Sequence, residues 1–429
     1  MHSLNRQHLR VLALFVICFR CAHAQQPIDP AQAKKVFAEA EALSKREGGR
    51  LWHKPLYGPL IFVDPATNAV VANQQDADGA LQPVDGIFAG HLPPKMPTAN
   101  TSFDWSGTHW TMMQWPLPDG GYTLDRFVAH ELFHRLQNSL NIPMNDARNP
   151  HLDTLEGRVW LQLEWRALAA ALVSTGDAQT RALRDAVAFR EHRHGIFAGS
   201  AENERRLDLN EGLAEYTGVT AASHDRPSAI WHAVAKLANP STTDSFVRGF
   251  SYTSGPAYGL LLDVRVPGWR DHITPQSDIA ALLAHTVTPL PAADLQTRTI
   301  VYGEADLRAA ETKRAQKNEA LRQKYRALLV DGPTLSLPMS DRIAYSFDPN
   351  TLLSLDEHNT VFPAYTATDD WGALEATEGL LQAPGKLVVA APKSTDGTPI
   401  QGPGWKLTLS PDWKLVPGPC DGCFTAAKR

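Results

Sequence analysis

His130-Glu131-Leu132-Phe133-His134 places two histidines four positions apart, with a glutamate directly after the first. On an α-helix positions i and i+4 share a face. Both imidazoles can then reach one metal ion, with Glu131 beside it to take a proton from water. The other reading of these residues is an ordinary buried helix with two exposed histidines. A tetrahedral catalytic zinc needs a third protein ligand and one position left open. Three glutamates are candidates: Glu211, within Leu209-Asn210-Glu211-Gly212-Leu213-Ala214-Glu215-Tyr216, Glu164 and Glu156. Glu215 follows Glu211 by one helical turn and can hold a ligating histidine through its other ring nitrogen. His192 and His194, two apart, point to different faces of a helix and read as surface residues.

H-E-x-x-H followed by N-E-G-x-A-E-Y resembles the gluzincin metallopeptidases, the group that contains thermolysin and the alanyl-type aminopeptidases. The resemblance covers these two motifs and the strand before them. It implies Zn²⁺ held by His130, His134 and Glu211, Glu131 as general base, and a peptide or protein as substrate. Glu211 lies 77 positions beyond His134, much further than in that group, so residues 150–200 would form an inserted helical pair. Glu156 and Glu164 are nearer the family's interval and remain rivals for the third ligand. The resemblance further implies an edge strand before the active helix, at Thr111–Trp115, for pairing with the substrate backbone. The G-x-M-E-N signature by which aminopeptidases hold a free amine is absent. A donor to the tetrahedral oxyanion is expected; Tyr252 and Tyr258 are candidates, each also readable as a buried structural tyrosine. The rival functions are a binding or envelope-scaffold protein with a vestigial zinc helix, and a zinc hydrolase of non-peptide amides or esters.

Two kinds of element must position these groups. Helical periodicity covers 123–138, with Thr123 as N-cap, then 154–174, 178–194, 206–219, 276–286 and a charged connecting helix over 304–330. An earlier helix over 30–47 starts at Asp29-Pro30 and stops at Gly48-Gly49. Residues 50–120 are β-rich: Leu60-Ile61-Phe62-Val63 and Ala69-Val70-Val71-Ala72 flank a turn, and Trp110–Trp115 is a further strand. Beyond Gly332-Pro333, short runs separated by Gly, Pro and Asp predict a β-rich region over 334–429. The class expected is α+β: a zincin-like catalytic domain over 25–330, with a mixed β-sheet and active-site helices, and a small β-rich C-terminal domain.

The chain has 429 residues, 43% hydrophobic and 20% charged, with a formal net charge of −5. That composition suits a globular chain and excludes a disordered or fibrous one. With no basic block, a nucleic-acid partner has no electrostatic support. Residues 1–24 read as a signal peptide: Arg6 and Arg10, an apolar run from Val11 to Phe19, and Ala22-His23-Ala24 as the cleavage site. The expected location is therefore secreted or periplasmic, without stable membrane insertion after cleavage. Cleavage would remove Cys18 and Cys21 and leave Cys420 and Cys423, which follow Pro417-Gly418-Pro419 and open no helix. A small structural disulfide is expected there.

Overall fold

The computed structural model describes residues 27–429, apart from 94–95, 97, 146, 240–244, 341–342, 348–350 and 357. The expected signal segment, with Cys18 and Cys21, lies outside the described residues. The protein is mixed α/β, with a helical array and three sheets. Among the described residues no helix is long and apolar enough to cross a membrane.

Helix α1 (Pro30–Glu47) begins where the Asp29 side chain accepts from the Ala31 amide at 2.9 Å. It lays Phe37 on Phe62 with ring centroids 4.6 Å apart. Phe62 belongs to a six-stranded sheet formed by β1 (Leu60–Val63), β2 (Ala69–Ala72), β3 (Gln82–Val84), β4 (Ile87–His91), β5 (Thr101–Trp105) and β6 (Thr108–Gln114). The order is β3-β4-β2-β1-β6-β5; β1 and β6 are parallel and the other neighbours antiparallel. The expected edge strand over Thr111–Trp115 is therefore corrected. β6 has a neighbour on each side, and the free edge belongs to β5. Trp110, Thr111, Met112 and Met113 are all buried, as suits a strand inside a sheet covered on both faces.

Helix α2 (Tyr122–Ser139) follows, burying Leu124, Val128, Leu132, Phe133 and Leu136. Its N-cap is Gly121 at φ +73°, with no side-chain cap, so Thr123 sits within the first turn instead of capping it. Helices α3 (Leu155–Leu172) and α4 (Gly176–Ile196) pack as a pair between α2 and the Glu211 segment in sequence. Next come α5 (Ser200–Leu207), a π-helical turn (Asp208–Gly212) and α6 (Leu213–Ala222), so the expected helix over 206–219 is the centre of a longer, interrupted run. Helices α7 (Arg226–Ala238) and α8 (Gly249–Arg265) complete the surroundings of the site. Two short helices, α9 (Ile279–Ala284) and α10 (Leu295–Val301), lead to α11 (Glu304–Arg326).

Helix α11 is charged and connecting as expected, and only Leu307, Glu311 and Tyr325 of it are buried. Its Glu311 is buried, accepting from Arg158 Nε and Gln162 Nε2 of α3, each at 2.7 Å. At its far end Tyr325 and Leu329 pack with Leu353, Leu355, Val361, Leu381 and Val388. The helix thus joins the helical array to the C-terminal region through buried contacts at both ends.

From Thr334 to Lys428 the described chain is β-structured. One sheet has seven strands and the other five. Leu335, Leu337, Phe362, Leu387 and Val389 of the first share a core with Tyr365, Leu374, Trp405 and Leu407 of the second. Burying such side chains contributes roughly 1.5–3 kcal/mol each, enough to make this region a core of its own. A disulfide joins Cys420 to Cys423 with Cα atoms 5.1 Å apart, and Cys423 Sγ accepts from the Thr334 amide at 3.4 Å.

Candidate metal centre

α2 and α6 cross closely enough for their side chains to meet. Gly218 allows the approach: a Cβ there would lie 2.6 Å from the Arg126 carbonyl oxygen and 3.4 Å from His130 Cβ. Gly255 does the same where α8 meets the π-turn, its absent Cβ falling 2.4 Å from Gly212 Cα. A π-turn inserts a residue into the helical ladder and is a recurrent feature of functional sites. Here it carries Glu211 toward the two histidines of α2.

The result is a buried cluster of His130, His134 and Glu211 whose ligand atoms all lie within 4.8 Å of one another. His130 Nε2 is 3.1 Å from His134 Nε2, and Glu211 Oε2 lies 3.4 Å and 3.6 Å from those two nitrogens. Ligands on a tetrahedral ion with bonds of about 2.0–2.1 Å stand about 3.3–3.4 Å apart. Glu211 Oε2 is buried and has no hydrogen-bond partner. An orphaned carboxylate oxygen facing two imidazole nitrogens fits a metal ion, and the three residues could hold one.

The other atoms of these ligands are fixed. His130 Nδ1 donates to Glu215 Oε2 at 3.0 Å, which leaves Nε2 for the metal. Glu215 also accepts from Arg126 Nη1 at 2.6 and 2.7 Å and from Lys236 Nζ at 2.9 Å. His134 Nδ1 donates to Gln137 Oε1 at 2.5 Å. Gln137 Nε2 in turn donates to Asn210 Oδ1 at 3.2 Å. Glu211 Oε1 takes Arg248 Nη2 at 2.7 Å and Asn210 Nδ2 at 3.2 Å. Partners of this kind fix ring orientation and tautomer.

The field calls for positive charge. Burial pushes His130 toward neutrality, but Glu211 and Glu215 overcome it and hold the imidazole up to about 10. Burial likewise pushes Glu211 up, and His130 and His134 outweigh it, keeping this carboxyl well below the usual range. Glu131 behaves oppositely. Desolvation raises it despite both histidines, and its Oε2 is buried without a partner. Gln137 and Asn210 hydrogen-bond to His134 and Glu211 and not to that oxygen.

The cluster lies in a cleft of about 620 Å³ that Tyr252 also lines. The Tyr252 ring stacks on His130 at 5.4 Å with an 8° interplanar angle, and burial together with Glu211 raises its phenol above the usual range. The structure thus brings together Glu131, Tyr252, His130, His134, Glu211 and Glu215.

Tyr258 is not among them. Its hydroxyl donates to Glu164 Oε1 at 2.7 Å inside a buried network. Glu164 there also accepts Arg193 Nη1 at 2.6 Å, so this rival ligand is consumed by α4. Glu156 is 40% exposed on its side chain and pairs with Arg308. His192 packs on Trp160 with ring centroids 4.1 Å apart, and His194 reaches Glu204 at 3.0 Å.

Arg126, Gln137, Lys236 and Arg248 were not anticipated from sequence. Arg126 precedes His130 by one turn and Gln137 follows His134 by three residues, so helical spacing carried a signal for both. Lys236 and Arg248 come from α7 and the start of α8, and no local pattern marks them.

No family model, no curated protein and no solved structure matches the chain.

Proposed function

We propose that the protein is a zinc-dependent peptidase of gluzincin type, exported to an oxidising compartment. The observation that carries this reading is the pairing of a preformed His130–His134–Glu211 cluster with a buried Glu131 carboxyl in the same cleft, whose Oε2 has no hydrogen-bond partner. The two-nitrogen, one-oxygen donor set suits zinc. Zinc bound there supplies Lewis acidity and brings the ionisation of water near neutral pH.

The chain's own residues do the rest. Glu131, raised by desolvation, accepts a proton from the attacking water and returns it to the leaving amine. The Tyr252 phenol, kept protonated, donates to the oxygen of the scissile carbonyl as it gains charge. Glu215 and Gln137 hold the histidines, and Arg248 holds the outer oxygen of Glu211. The Cys420–Cys423 disulfide supports the compartment.

Glu131→Gln tests the mechanism: zinc content by plasma mass spectrometry stays at parent level while cleavage of an unfolded protein falls at least 10²-fold. Activity that survives this change refutes the assignment of the base. Glu211→Ala loses zinc and Glu164→Ala keeps it; the reverse pattern would transfer the third ligand to α3. A peptide-library digest distinguishes this reading from hydrolysis of non-peptide amides or esters, and a metal-free, inactive protein would leave only a binding role.

A further inference from the structure

Strand β7 (Thr334–Pro338) opens the C-terminal region, and the strand after it, β8 (Ala344–Phe347), lies at the edge of the five-stranded sheet. It pairs antiparallel with Tyr365–Asp369, and among the described residues no strand pairs on its other side. Tyr345, Ser346 and Phe347 all line the cleft that holds the metal cluster. Opposite them the cleft is lined by Thr98, Ala99 and Asn100, in the segment that leads into β5, and by Gln114 at the end of β6. The metal cleft is therefore lined by residues from both halves of the chain.

Three further observations give this edge a purpose. Tyr345 and Phe347 are two apart and so share a face; both stack on Tyr365, with centroids 5.8 and 6.0 Å away and interplanar angles of 17° and 7°. Tyr345 is nevertheless 47% exposed, an aromatic surface presented to the cleft. A second cavity, of about 70 Å³, shares Arg248, Tyr345 and Phe347 with the metal cleft and adds Val247, Leu352 and Phe362. The seven-stranded sheet packed against the five-stranded one is tied to the helical half: Arg148 donates to Thr360 Oγ1 and Gln382 Oε1, each at 3.3 Å.

We infer that the C-terminal β region is part of the substrate site. An extended polypeptide adds to the free edge of β8, setting an apolar side chain against Tyr345 and Phe347 and into the adjoining cavity. Main-chain pairing supplies affinity in such strand addition and the side-chain cavity supplies selectivity. The inference rests on the peptidase reading above and deepens it. The preferred substrate is a segment of extended chain several residues long, because an extended peptide advances about 3.3 Å per residue and must reach β8 from the metal.

The test uses the full-length, zinc-loaded protein, a fluorogenic ten-residue peptide built around a bond cut in the library digest, and a three-residue blocked peptide containing that bond. Tyr345→Ala, Phe347→Ala and their combination should raise KM for the ten-residue peptide about 5- to 10-fold. kcat, zinc content and KM for the short peptide should stay within twofold. On the Glu131→Gln background, the Kd of the uncleaved ten-residue peptide should rise by the same factor. Tyr345→Ala alone serves if Phe347→Ala unfolds the sheet, because the Tyr345 side chain is half exposed. Unchanged KM for the long peptide, or equal changes for both peptides, overturns the inference. A wild-type protein that cuts no bond in the library digest refutes the peptidase reading itself, so the two failures are distinct.

Discussion

At the scale of single residues, the two carboxylates four positions apart, Glu211 in the π-turn and Glu215 on α6, have opposite duties. Glu211 presents an unpartnered oxygen to the histidines, while Glu215 spends both oxygens on His130, Arg126 and Lys236. Glu215→Gln should therefore weaken zinc binding 10- to 100-fold and leave the ligand count intact, as measured by competition with a chelating dye. The tyrosines separate in the same way. Tyr252→Phe should keep zinc and KM but lower kcat by about 10²-fold. Tyr258→Phe removes one donor from buried Glu164, which keeps Arg190 and Arg193, and should lower the melting temperature, a cost of about 1–3 kcal/mol, with kcat near the parent value. A Tyr258→Phe protein that folds normally and loses kcat would reverse the two roles. His130 and His134 were legible because their spacing lies on one helix, whereas Glu211, 77 positions further on, stood out from Glu164 and Glu156 only through the resemblance of its motif. Choosing between Tyr252 and Tyr258 was not possible from spacing, because that depends on which face of α8 meets α2.

At the scale of elements, the centre is a matter of helix separation. The helix-forming pattern over 206–219 is plain in the sequence, but the π-turn within it is not: Asp208, Asn210 and Gly212 are weak helix formers, yet nothing in them specifies a π-turn over a simple break. The edge strand was misplaced for a related reason. Trp110-Thr111-Met112-Met113 is the more strand-like segment because it lies inside the sheet, whereas the free edge, Thr101–Trp105, is half exposed along most of its length. Gly218 tests the helix separation directly. Its missing Cβ would lie against the Arg126 carbonyl and His130, and both neighbours are held, one by the helix ladder and the other by Glu215. Gly218→Val should push α6 from α2, cost about 1–3 kcal/mol and weaken zinc binding at least 10-fold. Gly195→Val, at a position with open space around the glycine, should leave zinc affinity unchanged. Equal zinc affinities in the two variants would show that the helix approach does not set the ligand geometry.

At the scale of the whole molecule, the division into a helix-rich body and a β-rich tail was readable from the change in segment length and turn content. Their joint use of one cleft was not, because it depends on where Arg148 and α11 seat the tail. The body itself is centred on buried ions. Arg193 of α4 joins Glu164 of α3 to Glu204 of α5, with His151 and His194 also on Glu204; Arg190 adds Asp208 of the π-turn. Burial would raise Glu204, yet Arg193 and Arg190 hold it well below the usual carboxylate range. A carboxyl depressed in the folded state binds fewer protons there than when unfolded, so it contributes stability above the unfolded value of about 4.3. That contribution fades as pH falls below this value toward the depressed folded one. Glu204→Gln leaves Arg193 and Arg190 short of a counter-charge, which should cost about 3–5 kcal/mol at pH 7. Thermal melts from pH 7 to pH 3 should show the parent descending toward the variant below about pH 4.5, so that the gap between them narrows. A gap that stays constant across this range would mean that Glu204 is not held ionised by the arginines, and that packing alone orders the helices behind Glu211.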